Sequence, residues 1–300
     1  MRQPPTALSL HQKGVLLTGF GGILFTFDIP LLRLAGEDAW TLIFGRGMLL
    51  CLAITAWWFL WYRMRGHKVP FINGGAGLTV AVTNTLANLM FIAAVTMTTA
   101  ANLVFILALN PILCAIIARV FLGEKLHPWT LAAVTMSVIG VLIIGADGLT
   151  TGTLPGDLMA LGVALMTAIA LTVVRRSGKN VVSSLAVGSF ASGAIAAFWA
   201  APMALSFAGW GWLGVNGLVV IPLASALIAL GPRYLPAPEV AMFFLLDTML
   251  TPIWIWMIFA EVPTPVSMVG GTIVIVTLTA HSLWRFRTSS LQPAIDLSPR

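Results

Sequence analysis

Polar residues in this chain come in short clusters separated by long apolar runs. Ten runs are long enough, or nearly so, to cross about 30 Å of hydrocarbon as a helix. They lie at 13–34, 39–61, 72–96, 99–121, 129–146, 157–174, 181–206, 211–231, 238–259 and 265–284. None alternates with the period of two that a barrel strand needs. Backbone groups in lipid must find their partners within their own segment, so all ten runs are predicted helices. The expected fold class is an all-α polytopic membrane protein with ten transmembrane helices.

Two of these runs open a repeat. Ala100–Pro128 reads AANLVFILALNPILCAIIARVFLGEKLHP, and Ala237–Pro265 reads APEVAMFFLLDTMLTPIWIWMIFAEVPTP. Each starts on a small residue and runs apolar with one polar group midway, Asn110 or Asp247. Each closes on Glu, three residues and Pro: Glu124 to Pro128, and Glu261 to Pro265. This shift of 137 pairs helices three to five with eight to ten, and a shift of 142 pairs Gly14–Arg33 with Gly156–Arg175. Five helices is an odd number, so the second half enters the membrane upside down. Two inverted five-helix repeats around a central cavity are the expected architecture, as in alternating-access transporters. The chain divides into an N-terminal segment (1–12), a first repeat (13–146), a loop (147–156), a second repeat (157–284) and a C-terminal tail (285–300).

Charge sharpens the topology. Hydrophobic residues make up 59% of the chain and charged residues 9%, against about 25% charge in a soluble domain. No extramembrane domain fits between the spans. The net charge of +6 first suggests nucleic acid, but its distribution argues otherwise. With the N-terminus inside, every Lys and Arg except Arg33 and Arg46 falls on the cytoplasmic side. The opposite loops carry Glu37, Asp38, Asp147, Asp157 and Glu261. Both termini are therefore expected in the cytoplasm, and the basic excess marks topology rather than a nucleic-acid patch. Trp40, Trp57, Trp58, Trp61, Trp129, Trp210, Trp212 and Trp284 fall near run ends, as interfacial anchors do. The basic N-terminus before an apolar run resembles a signal peptide, but without a convincing cleavage site it is read as the first span. Cys51 and Cys114 lie inside apolar runs, where packing is expected rather than a disulfide.

A charge within lipid is costly, so each needs a reason. Asp28 and Arg46 fall at nearly the same depth on helices one and two and are expected to pair. The pair either pins the first hairpin or meets a substrate's ammonium and carboxylate. Asp247 sits near the centre of helix nine, with Phe244 and Trp254 on the same face by spacing. That face either packs or holds an aromatic zwitterion, and Asp247 is the candidate for proton coupling. Asn84, Asn88, Asn102 and Asn110 are expected to face the interior, as interhelical bonds or as cavity lining. Pro30, Pro111, Pro222 and Pro252 are candidate hinges. Small residues every fourth position join helices on Ala160, Ala164 and Ala168, and on Gly188, Ser192, Ala196, Ala200 and Ala204.

His11, His67, His127 and His281 form no ligand pair, and no GxSxG or Walker A motif is present. No metal, cofactor or catalytic residue is expected, and transport would draw on a gradient. An intramembrane lipid-modifying enzyme would cluster its polar groups at one face, whereas these are spread over several helices.

The two hairpins with their Glu-x-x-x-Pro, the Asn110-Pro111 pair and Arg46 resemble the drug/metabolite transporter superfamily, EamA type, over nearly the whole chain. Within it the chain looks most like YddG-type exporters of aromatic amino acids. The resemblance implies a bacterial inner-membrane protein that moves Phe, Tyr, Trp and similar amphiphiles outward. Export of other metabolites or lipophilic cationic drugs is the alternative. Two departures stand out: Asp247-Thr248 replaces the Asn-Pro pair in the second copy, and Gly188 stands where the repeat would place a partner for Arg46.

Overall fold

The computed structural model describes residues 10–36, 38–65, 72–122, 128–177, 181–230, 243 and 245–289. Among these residues the structure is all helix, without strands. Seven stretches are long and apolar enough to cross a membrane, and three shorter apolar helices accompany them. The helices are α1 (Leu10–Phe25), α2 (Asp28–Ala35), α3 (Ala39–Arg65), α4 (Gly74–Met97), α5 (Ala100–Leu107), α6 (Asn110–Leu122) and α7 (Pro128–Thr151). They continue as α8 (Leu154–Ser177), α9 (Val182–Ala196), α10 (Phe207–Gly214), α11 (Ile221–Leu230), α12 (Leu245–Phe259) and α13 (Pro265–Ser289).

Several apolar runs are not single helices, and proline chemistry explains where they break. A proline has no N–H for the carbonyl four residues earlier. In the first run Pro30 leaves the Thr26 carbonyl free, and the chain turns at Thr26 and Phe27 between α1 and α2. In the fourth run the turn at Ala108 and Leu109 precedes Pro111, which sits in the first turn of α6, where a missing N–H costs nothing. In the eighth run a π-helical stretch, Val215–Val220, joins α10 to α11 just before Pro222. Pro252 lies inside α12.

Boundaries move where polar side chains cap helices. Thr99 accepts from Asn102 N at 3.2 Å to start α5. Ser206 accepts from Gly209 N at 3.0 Å and starts α10 four residues before the expected run. Asp38 accepts from Thr41 N at 3.0 Å and Thr264 from Ser267 N at 3.0 Å, opening α3 and α13. Asp147, expected in a loop, instead belongs to α7, and Asp157, expected at the start of the sixth run, lies inside the first turn of α8; both are buried. Helix α9 stops at Ala196, so Ala200 and Ala204 fall outside the helix whose small-residue row they were expected to extend.

Packing gathers these helices in pairs. Helix α4 lies against α8, α3 against α9, α7 against α13, and α1 against α11. The close approaches use the small residues: Ala160, Ala164 and Ala168 are fully buried on α8, and Ala196 on α9. Gly188 on α9 lies so near α4 that a Cβ there would come within 2.6 Å of the Ala81 carbonyl oxygen. This contact gives Gly188 its own reason to lack a side chain, in place of a partner for Arg46. Large apolar side chains such as Leu52, Phe59, Leu78, Leu142 and Val276 point outward. That outward apolar surface is what a lipid-facing bundle presents.

Candidate functional site

The break at Thr26 and Phe27 is flanked by two polar clusters. On one side Asp28, the first residue of α2, accepts from Arg46 Nη2 of α3 at 2.9 Å. Both side chains are buried, and the expected pairing is present. The other carboxylate oxygen accepts from Asn216 Nδ2 at 2.8 Å, and the Asp28 carbonyl takes the same amide at 3.2 Å. The guanidinium carbon of Arg46 stands 4.7 Å from the centre of the Phe91 ring, a cation–π arrangement. A charge this deep is tolerable only with such partners.

On the other side lies α12. Thr251 donates to Asp247 Oδ1 at 2.6 Å and reaches the Thr26 carbonyl at 3.1 Å. Trp254 Nε1 donates to Thr26 Oγ1 at 3.0 Å, and its ring stacks on Phe27 with centroids 5.2 Å apart. Trp254 directly, and Asp247 through Thr251, thus connect helix nine to the break in the first span. Phe244 lies outside the described residues.

The other candidates are placed elsewhere. Asn84 Nδ2 donates to the Leu185 carbonyl at 3.1 Å and to Ser189 Oγ at 3.3 Å, and Asn88 reaches the same hydroxyl at 3.5 Å. Both bind α4 to α9. Asn102 donates to Asp157 Oδ1 at 3.3 Å. Asn110 accepts a weak bond from Cys114 Sγ at 3.4 Å, within its own helix.

A third cluster was not singled out from the sequence. It lies at the distal end of the bundle, away from Leu10 and Ser289. Arg33, near the end of α2, pairs with Glu261, which follows α12. Arg33 Nη2 also donates to the Thr98 carbonyl at 2.8 Å, and Glu261 accepts from the Ala100 N–H at 3.0 Å. Beside it Thr98 donates to Asp157 Oδ1 at 2.5 Å. Asp147 accepts from Ser267 Oγ at 2.8 Å and from Thr264. The glutamate of the second Glu-x-x-x-Pro therefore ties three segments together; Glu124, its counterpart, lies outside the described residues. An apolar groove of about 330 Å³ between α3, α4 and α9, lined by Trp40, Ile43, Leu89 and Met97 among others, contains none of these polar groups.

Asn216 was also missed. A lone amide inside the apolar run 211–231 was the available signal, of the same kind that marked Asn88.

Residues 12–146 match the model of the EamA-like transporter family. Over those residues, a little under half of the chain, the match supports an EamA-like transporter of small molecules, and the apolar helices support a multi-pass membrane protein. A solved structure described as "Crystal structure of protein" is similar with a TM-score of 0.63, over 91% of this chain and 98% of its own, at 13% identity. At that identity the likeness is one of fold. No curated protein matches the chain.

Proposed function

We propose that this protein exports amino acids, aromatic ones foremost, across a bacterial inner membrane by alternating access between two inverted five-helix repeats, with both termini in the cytoplasm. The observation that carries the reading is the broken first span, where a buried Asp28–Arg46 pair lies beside the Phe27–Trp254 stack. Charges of both signs next to aromatic rings suit an amphiphilic zwitterion. Broken helices at a site are also how transporters expose backbone to a substrate.

The packing supports the inverted pairing. If helix one corresponds to six and three to eight, then the contact of α4 with α8 has its counterpart in α11 with α1. The contacts of α3 with α9 and of α7 with α13 join corresponding helices of the two halves. The reading of ten spans takes the three shorter apolar helices together with the seven long stretches.

A second reading, export of lipophilic cations, draws on Asp247. Among the described residues it forms no ion pair, and Thr251 links it to the Thr26 break on which the Trp254 indole also closes.

Flux of labelled Phe, Trp, Leu and Lys into proteoliposomes, with and without a pH gradient, tests both readings. Phe and Trp flux well above protein-free liposomes is expected. Absence of any amino acid flux by folded protein overturns the amino acid reading and brings cations forward. A change of accumulation with the pH gradient would make Asp247 the proton site to examine first.

A further inference from the structure

The Asp28 cluster holds more hydrogen-bonding capacity than it uses. Both oxygens of the Asp28 carboxylate have partners, Arg46 Nη2 on one and Asn216 Nδ2 on the other. The second bond fixes the amide, because a carboxylate must face the NH₂ and not the carbonyl. The Asn216 carbonyl oxygen is therefore turned away from Asp28, and it is buried without a partner. Arg46 is 7% exposed, and its Nε and Nη1 are likewise buried without an acceptor.

Among the described residues, three of the eight buried unpaired side-chain atoms thus belong to the two side chains that bond the Asp28 carboxylate. Buried polar groups are normally satisfied, and a merely structural ion pair would be expected to satisfy its own donors. Phe91 covers one face of the guanidinium, which leaves its edges for bonding. Nη2 carries a second hydrogen, so the edge that Asp28 leaves free can still grip an anion with two donors, that hydrogen and the one on Nε or Nη1 beside it.

We propose that Asp28, Arg46 and Asn216 form a head-group subsite for an α-amino acid zwitterion. The substrate carboxylate takes the unused edge of Arg46. Its ammonium takes the free Asn216 carbonyl oxygen. The subsite rests on the transport reading and narrows its substrate class, since neither a lipophilic cation nor a simple organic anion satisfies both halves.

The test is calorimetric titration of the full-length protein in detergent with three probes: L-phenylalanine, phenethylamine, which lacks the carboxylate, and 3-phenylpropionate, which lacks the ammonium. The wild type should bind L-phenylalanine at least about tenfold more tightly than either analogue, because a site built for a polar group rejects ligands that lack it. Arg46→Lys keeps a cation beside Asp28 but loses the planar edges. It should abolish the preference for L-phenylalanine over phenethylamine while leaving phenethylamine binding in place.

Phenethylamine binding the wild type as tightly as L-phenylalanine overturns the subsite, as does an Arg46→Lys protein that keeps the preference. If the variant does not fold, the three probes on the wild type decide alone. Phenylalanine flux without the preference means that the subsite is wrong and the transport reading stands. The preference without flux means the reverse. A folded wild type that binds none of the probes overturns the subsite outright.

Discussion

The Thr251 hydroxyl shares its one hydrogen between Asp247 Oδ1 and, at 3.1 Å, the Thr26 carbonyl, the group that Pro30 leaves without an intrahelical partner. A helix nine side chain thus completes the backbone of helix one, and the same hydroxyl touches Asp247. Thr251→Val removes both bonds at constant shape. Only the bond to Thr26 joins two helices; such bonds in membranes average about 0.6 kcal/mol and reach about 1.7, so a loss of about 1 kcal/mol is expected, read as a lower thermal midpoint in detergent. Pro30→Ala returns an N–H to position 30. In that background Thr251→Val should cost measurably less, and a double-mutant cycle showing strict additivity would contradict the account.

Asp28 and Arg46 stand or fall together. Removing one partner of a buried pair costs about 3–5 kcal/mol, because the other charge is stranded. Asp28→Asn and Arg46→Gln should each reduce the yield of monodisperse protein sharply. Combining them removes both charges and should recover much of that yield. A double variant as poorly folded as either single would mean that the charges matter to folding through something other than each other.

The pairing of Asp28 with Arg46 was legible because depth along a helix follows from residue count, and two opposite charges at one depth have few alternatives. The face shared by Asp247 and Trp254 was legible for the same reason. Asn84 and Asn88 were legible as interior residues, but their partner Ser189 was not, since a serine beside the row from Gly188 to Ala196 reads as one more small packing residue. The breaks at Thr26 and at Ala108 were half legible. Prolines announced the disturbed helices, yet each break falls a few residues before its proline, at the carbonyl left free in the first run and just after it in the fourth.

The distal cluster was hidden for a different reason. Arg33, Glu261 and Asp157 were read one at a time, as loop charges whose signs set orientation. Only the fold brings residues 33, 98, 157 and 261 to one end of the bundle. Asp147 was lost to a boundary error, because α7 runs to Thr151 on a polar turn that hydropathy alone ends early.

Arg33 and Glu261 are about one-fifth and one-quarter exposed, so their Coulomb attraction is screened and contributes little to stability, about 1 kcal/mol or less. Their neutral bonds matter as much. Glu261 accepts the Ala100 N–H, and Arg33 donates to the Thr98 carbonyl. Exchanging the charges, Arg33→Glu with Glu261→Arg, restores the ion pair but puts a donor against an N–H and an acceptor against a carbonyl. The exchange should therefore not recover the thermal midpoint lost in Arg33→Gln. Full recovery would mean that charge alone holds this end together.

Gly188 and Gly47 predict where the bundle has no slack. A Cβ at Gly188 would stand 2.6 Å from the Ala81 carbonyl oxygen, and one at Gly47 would stand 2.6 Å from the Ser189 carbonyl oxygen. Both obstacles are backbone, so neither can swing aside as a flexible side chain would. Alanine at either site must push α9 away from α4 or α3, and overpacking of this kind costs about 1–3 kcal/mol. At Gly188 the displacement also stretches the bonds from Asn84 to Leu185 and Ser189. Gly145 and Gly211 lie in helices with nothing within 4 Å of a Cβ. Alanine there should be neutral or slightly stabilising, since it favours helix by about 1 kcal/mol over glycine. Thermal midpoints of the four variants, measured side by side, separate the two classes. If Gly188→Ala and Gly145→Ala shifted the midpoint alike, helix propensity and not the α4–α9 contact would govern these positions.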